Sequence, residues 1–324
     1  MHPCLVASFT ILVALSQLSI CGGFALPRTK HATESHNVLS AIDDENGSTS
    51  LDFAMDPTGD EAKSIMNHLS LSSEQHQQLA KLAVLVTDWN TRINLISRKD
   101  CSKEVVFGRH IIPSLAPKGM NEEDVIIKSQ QRVVDVGTGG GFPGLPLAIA
   151  YPDVDFLLVD SVGKKLVAVE DMADKLGLTN VKIHHGRAEQ LMEKFDVCVG
   201  RSVAAIPTYC FWINNLLERN GHLLYMIGGD IDQELLDQAI IDTDIDDLLE
   251  SSGASDKRIL VFPEETVKKI AKASGEKPKV PRKTKPTLGT KRKKRAKGEW
   301  AKKADPTVPK QRGYENFKRY DNLA

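Results

Sequence analysis

The chain has 324 residues, 41% hydrophobic and 26% charged, with a net charge of −1. This is the composition of an ordinary soluble globular protein, long enough for one large domain or two small ones. The five cysteines, Cys4, Cys21, Cys101, Cys198 and Cys210, have no CxxC spacing, which supports neither a zinc site nor a disulfide framework and fits a reducing compartment. The charge balance conceals an asymmetry: residues 263–324 sum to +13 and the remainder to −14, so an acidic body carries a basic segment suited to a polyanion.

Residues 1–23 read as a signal-like leader. The apolar run Leu5–Ile20 is followed by the small residues Cys21-Gly22-Gly23 and is too short to be a convincing membrane span. Phe24-Ala25-Leu26-Pro27-Arg28 and a polar stretch come next. This order resembles the bipartite plastid presequence of diatoms and related algae and predicts delivery to the plastid stroma. The alternatives are the secretory pathway and the mitochondrion. Residues 24–60 are polar and turn-rich, a transit peptide and linker. No membrane anchor is expected once the leader is removed.

Helical periodicity runs from Glu61 to about Pro117. Ser72 or Ser73 can cap a helix carrying Leu79, Leu82, Ala83, Val86 and Trp89-Asn90. Residues 118–131 are a polar connection. From Arg132 short apolar strands alternate with helices. Strands are predicted at 132–136, 155–159, 181–184, 195–199, 222–226 and 258–262, and helices at 145–150, 164–176 and 207–217, with a further helix before the last strand. Alternation of this kind means a doubly wound, mostly parallel α/β sheet with its ligand crevice at the carboxyl ends of the strands. The folded body is expected over 61–262, its helical N-terminal extension at 61–117 and its Rossmann-like core at 132–262. Residues 263–324 show no apolar periodicity and are expected to be a disordered basic tail.

The chemistry concentrates in VVDVGTGGGFPG, residues 133–144. Five glycines in eight residues after a buried strand are too costly in chain entropy for a plain turn, and they let a ligand approach the backbone. Gly139, Gly141 and Gly144 also satisfy the GxGxxG pattern of a dinucleotide site. Three features favour S-adenosylmethionine over a dinucleotide. Asp135 can reach the ligand's ammonium or organise the loop. Pro143 stands where its missing N–H costs nothing. A dinucleotide also needs helix N–H groups for its pyrophosphate, and S-adenosylmethionine has none to place. Asp160 ends the second strand, where it can bind both ribose hydroxyls or cap a helix. Ala188-Glu189 can read adenine, or Glu189 can simply begin a helix at the surface. Arg201, after the fourth strand, faces the position of the reacting methyl group, as an anion-holding group or as half of a structural ion pair.

Together with WNTRINLIS (89–97), GRH (108–110), LLVDSVGKK (157–165), HHGRAEQL (184–191) and FDVCVGRSVA (195–204), the loop resembles the RsmG (GidB) family of small-subunit rRNA guanine-N7 methyltransferases. The resemblance covers roughly residues 61–262. It implies a class I Rossmann-like methyltransferase fold, S-adenosylmethionine as cofactor, and small-subunit rRNA or the assembling small ribosomal subunit as partner. It also implies methyl transfer to a guanine N7 by a chain expected to be monomeric. The family's ligand contacts fall on Gly137, Phe142, Ala188, Glu189 and Arg201, to which Gly139, Gly141 and Asp160 add as cofactor-binding candidates. Asp135 and Arg201 are the catalytic candidates. The chain departs from the family at Pro113, where an acid is usual, and at Ile227, where a lysine is common. Guanine N7 carries a lone pair and no proton, so alignment and not a general base is the expected demand. Amino-group and C5 chemistries are disfavoured: no [DN]PP[YF] motif occurs, and Cys198 sits inside a strand as core.

For RNA, Arg92, Arg98, Lys99, Arg109 and His110 are candidates for a face beside the crevice. The run Lys291, Arg292, Lys293, Lys294, Arg295 can anchor phosphates, with Trp300, Tyr314, Phe317 and Tyr320 available for stacking. Two other readings remain open from sequence: a Rossmann methyltransferase acting on another substrate, and a non-catalytic RNA-binding ribosome-assembly factor.

Overall fold

A computed structural model of the chain describes residues 54–98, 101–250 and 257–276. The leader, Lys99 and the basic run 291–295 lie outside the described residues. No described helix is long and apolar enough to cross a membrane.

The N-terminal extension is helical: α1 (Asp60–His68), α2 (Ser73–Arg92), α3 (Lys103–Val106), a π-helical turn over Phe107–Ile111, and α4 (Ile112–Ser114). Ser72 starts α2 with a reciprocal cap. Its hydroxyl accepts from Gln75 N at 3.2 Å, and its own N–H donates to Gln75 Oε1 at 2.8 Å, which satisfies two backbone donors at once. The apolar stripe Leu79, Leu82, Ala83 and Val86 is buried. Gln75 and Gln78 fasten the helix by donating to Ile149 O at 2.8 Å and Leu176 O at 2.9 Å.

Strands β1 (Arg132–Val136), β2 (Asp155–Asp160), β3 (Val181–His185), β4 (Phe195–Arg201), β5 (Leu217–Gly228), β6 (Ile241–Asp244) and β7 (Lys257–Pro263) form one sheet in the order β3-β2-β1-β4-β5-β7-β6. The first five run parallel to one another, and β7 is antiparallel to both β5 and β6. A dinucleotide-binding sheet has the order 3-2-1-4-5-6. Here an antiparallel strand is wedged between the fifth and sixth, which separates this sheet from a dehydrogenase's. β1 is central: Val133, Val134 and Val136 are buried, and β-branched residues covered on both faces suit a parallel strand. The helices between the strands are α5 (Gly144–Ala150), α6 (Gly163–Leu176), α7 (Ile206–Ile213), α8 (Gln233–Leu236) and α9 (Ile245–Leu249). Gly177 ends α6 in the left-handed conformation at φ +71°.

Two expectations fail. A single helix was expected between β5 and the last strand, but this stretch holds α8, strand β6 and α9. The sequence of β6, IDTD, offers only one apolar residue, Ile241, to mark an edge strand. The expected tail also begins too early, because Glu264–Ala273 form α10. Val267, Ile270 and Ala271 are buried in one cluster with Tyr209, Cys210 and Ile213 of α7. Their i, i+3, i+4 spacing is helical, but it spans barely one turn among lysines. Glu264 and Glu265 in the first turn and Lys272 in the last suit the helix dipole.

Candidate functional site

The strand order reverses between β1 and β4, and a cavity of about 460 Å³ opens there, at the carboxyl ends of the strands where such sheets bind ligands. Its floor is the glycine loop. Gly137 sits at φ +78°, and a Cβ there would lie 2.6 Å from Val203 Cγ1, so only glycine fits. The loop is pinned from both sides. Asp160 Oδ2 accepts from Gly139 N at 3.0 Å, while its Oδ1 accepts from Val162 N at 2.8 Å. Asp135 Oδ2 accepts from Gly144 N at 2.9 Å. A Cβ on Gly144 would lie 2.7 Å from that oxygen, which makes glycine obligatory at the head of α5 as well.

Asp135 is 0% exposed and does not line the cavity. Its expected catalytic role is therefore corrected: it positions the loop from behind. Burial pushes its carboxyl up to about 7, against the pull of the Gly144 N–H and the Arg201 charge. Gly141, at φ +95°, shapes the turn without lining the cavity. Gly137, Gly139, Phe142, Asp160, Ala188, Glu189 and Arg201 do line it. Glu189 lines the cavity and belongs to a short 3-10 turn over Ala188–Gln190. Asp160 likewise holds backbone N–H groups and faces the cavity.

The far wall is built by Arg201, His110 and Phe142. Arg201 Nη1 donates to His110 O at 2.8 Å and to Ser114 Oγ at 3.3 Å. Arg201 Nη2 lies 3.0 Å from His110 Nδ1. A guanidinium only donates, so Nδ1 accepts, and the imidazole is neutral with its proton on Nε2. Burial first, then the Arg201 charge, brings the His110 pKa down to about 3. Burial lowers Arg201 to about 10, so it stays protonated at neutral pH. The Phe142 ring lies 5.4 Å from the His110 ring and 5.0 Å from the Arg201 guanidinium carbon. His110 stands on the π-helical turn, a distortion that often marks a functional site. It was expected on an RNA face beside the crevice, and the structure sets it in the cavity wall.

The other RNA candidates scatter. Arg92 pairs with Asp88 and lies 3.9 Å over the Trp89 ring. Arg98 is exposed, Arg109 is half-buried, and neither lines the cavity. Cys198 is fully buried in β4, as expected of core, and burial drives its thiol far above the usual range.

Several contributors were not singled out from sequence. Asn90 is 2% exposed, and its Oδ1 accepts from Leu95 N at 2.8 Å and Ile96 N at 3.0 Å. It thereby turns the chain so that Leu95 and Ile96 form cavity wall. Tyr225 Oη accepts from Val203 N and Ala204 N, each at 3.0 Å, and steadies the loop after Arg201. Lys165 lines the cavity from the first turn of α6. A cation there opposes the helix dipole, and that was the available signal of an anionic ligand group.

These features fit S-adenosylmethionine: a glycine cradle, an acid at the end of β2 able to accept from ribose hydroxyls, and a cationic Lys165 on the wall. No cluster of metal-binding side chains occurs among the described residues.

Comparison with known proteins agrees with this geometry. Residues 75–247 match the family model described as GidB, rRNA small subunit methyltransferase G. The ribosomal RNA small subunit methyltransferase G of Christiangramia forsetii is 37% identical over 206 residues, covering 60% of this chain and 92% of that protein. Its counterpart in Cytophaga hutchinsonii is 35% identical over 201 residues, covering 60% and 94%. That of Flavobacterium johnsoniae is 37% identical over 203 residues, covering 60% and 93%.

Proposed function

The chain belongs to the GidB family of small-subunit rRNA methyltransferases G, and from that premise we propose that it methylates N7 of a guanine in small-subunit rRNA. Enzyme class, S-adenosylmethionine and the rRNA substrate follow from family membership; the nucleophilic atom is our reading.

One observation carries the choice of N7. The cavity-wall histidine has its only acceptor nitrogen occupied by Arg201, so it cannot take a proton from a nucleophile. Exocyclic amines and hydroxyls lose a proton on methylation, and C5 of a pyrimidine needs a thiolate. Cys198 is sealed in β4 with 0% exposure. Guanine N7 needs neither group. S-adenosylmethionine supplies an electrophilic methyl group on a sulfonium. The chain's part is to align that methyl group with the base, and positioning of this kind can supply ~7–11 kcal/mol. Asp160, Lys165 and the glycine loop would hold the cofactor. Arg201 and Phe142 would flank the incoming base. Calorimetry should give saturable binding of S-adenosylmethionine and none of NAD; the reverse preference rules the reading out.

We further propose that residues 1–60 deliver the chain to a plastid and that the basic segment beyond residue 276 anchors rRNA phosphates. The leader's Phe24-Ala25-Leu26-Pro27 and the run KRKKR at 291–295 support these readings. A fusion of residues 1–60 to a fluorescent protein should mark plastids, and signal confined to the endoplasmic reticulum contradicts that.

A further inference from the structure

His110 Nε2 is buried and has no hydrogen-bond partner among the described residues. A buried donor left unmade carries a real free-energy cost, so such an atom calls for an explanation. Four observations bear on it. His110 lines the cavity and stands on the same wall as Arg201 and Phe142. The Arg201 contact to Nδ1 fixes the proton on Nε2. The Phe142 ring at 5.4 Å holds the imidazole plane. Ser114 Oγ donates to His110 O at 2.6 Å, and Arg201 Nη1 donates to the same carbonyl at 2.8 Å, which fixes the backbone beneath. The outcome is a neutral, pre-oriented N–H donor with no acceptor among the described residues.

We propose that His110 is a specificity-determining residue whose Nε2–H donates to O6 of the target guanine while N7 attacks the methyl group; this rests on the N7 reading above. Guanine presents N7 and O6 side by side, both as acceptors. Adenine presents N7 beside an amino group that is a donor. A fixed N–H donor therefore accepts guanine and meets adenine donor to donor. A site with a buried donor also rejects an analogue that lacks the acceptor, because the donor is again left unpaired. The neutral state matters for a second reason. Transfer leaves positive charge on the purine, and a neutral donor contacts O6 without adding a second cation beside it.

The test uses the full chain and small subunits reconstituted with rRNA carrying guanine or 2-aminopurine at the methylated position. 2-Aminopurine keeps N7 and lacks O6. The wild-type chain should prefer guanine by about tenfold in kcat/KM, the scale of one buried hydrogen bond. His110→Phe, which keeps a ring against Phe142, should bring the ratio close to one by slowing the guanine substrate. His110→Gln, which restores an N–H donor, should recover part of the preference. Equal rates on both substrates by the wild-type chain overturn the proposal without recourse to any variant. So does a His110→Phe chain that binds S-adenosylmethionine, transfers methyl groups and keeps the full preference. If the wild-type chain places no methyl group on guanine N7, the functional reading falls first, and that outcome is distinct from both.

Discussion

Asp135 and His110 are buried titratable groups whose pKa values move in opposite senses, and each shift makes a separate expectation. The Asp135 pKa is raised from 3.8 to about 7 by burial. Between those values the unfolded chain has released the proton and the folded chain retains it. The contribution to stability is therefore complete below pH 4 and is lost as pH rises through 7. Asp135→Asn removes this dependence while keeping an acceptor for Gly144 N. Urea unfolding should show the variant gaining on the parent by about 1–3 kcal/mol between pH 5 and pH 8; a difference independent of pH contradicts the burial argument. The His110 pKa is lowered from 6.5 to about 3. Its contribution is present above pH 6.5 and is lost as pH falls toward 3. Nitrogen NMR should find this ring neutral and protonated at Nε2 from pH 5 to 8. A midpoint near 6.5 would mean that the Arg201 contact does not hold in solution. From sequence, Asp135 and His110 were visible only as residue types near a motif. Whether a carboxylate faces the ligand or the back of the loop depends on the direction of alternation in β1, and nothing in RVVDV fixes that direction without its neighbours.

At the scale of elements, legibility followed the strength of the local pattern. The strands β1, β2 and β4 and the helix α2 were readable because each carries a continuous apolar run or stripe longer than a turn. The capping pair Ser72 and Gln75 gave a start signal. β6 and α10 were not readable, since their identity comes from what they pack on. α10 offers three apolar residues to α7, and β6 is an edge strand held by hydrogen bonds to β7. This makes α10 a direct test of the boundary. Ile270, 4% exposed, should cost about 2–4 kcal/mol on substitution by Ala, whereas ending the chain after residue 276 should leave the thermal midpoint unchanged. Loss of the midpoint with the shorter deletion would mean that the segment beyond 276 belongs to the fold. The loop at 93–98 makes a similar case. Asn90→Ala removes the acceptor for Leu95 N and Ile96 N, so it should lower stability by about 1–3 kcal/mol and weaken S-adenosylmethionine binding at the wall those residues form. Unchanged affinity would separate the loop from the site.

At the scale of the whole molecule, the chain divides the work of binding RNA. On the proposed reading the folded body, which carries the cavity, would select a base, and the basic segment would contribute charge without base information. Ending the chain after residue 276 should make the dependence of log affinity on log salt shallower by at least about three units, since each lost phosphate contact removes ~0.7–0.9. An unchanged slope would move the RNA anchor onto the body. The central claim is methyl transfer to a guanine N7, and its most direct test is chemical. Purified full-length chain and labelled S-adenosylmethionine are incubated with unmethylated small ribosomal subunits, and the rRNA is then cleaved at N7-methylguanosine and mapped. The expected result is one labelled cleavage at a single small-subunit guanine, absent with Arg201→Ala. Label on another atom or another molecule, or transfer that proceeds unaltered in the Arg201→Ala chain, would contradict it.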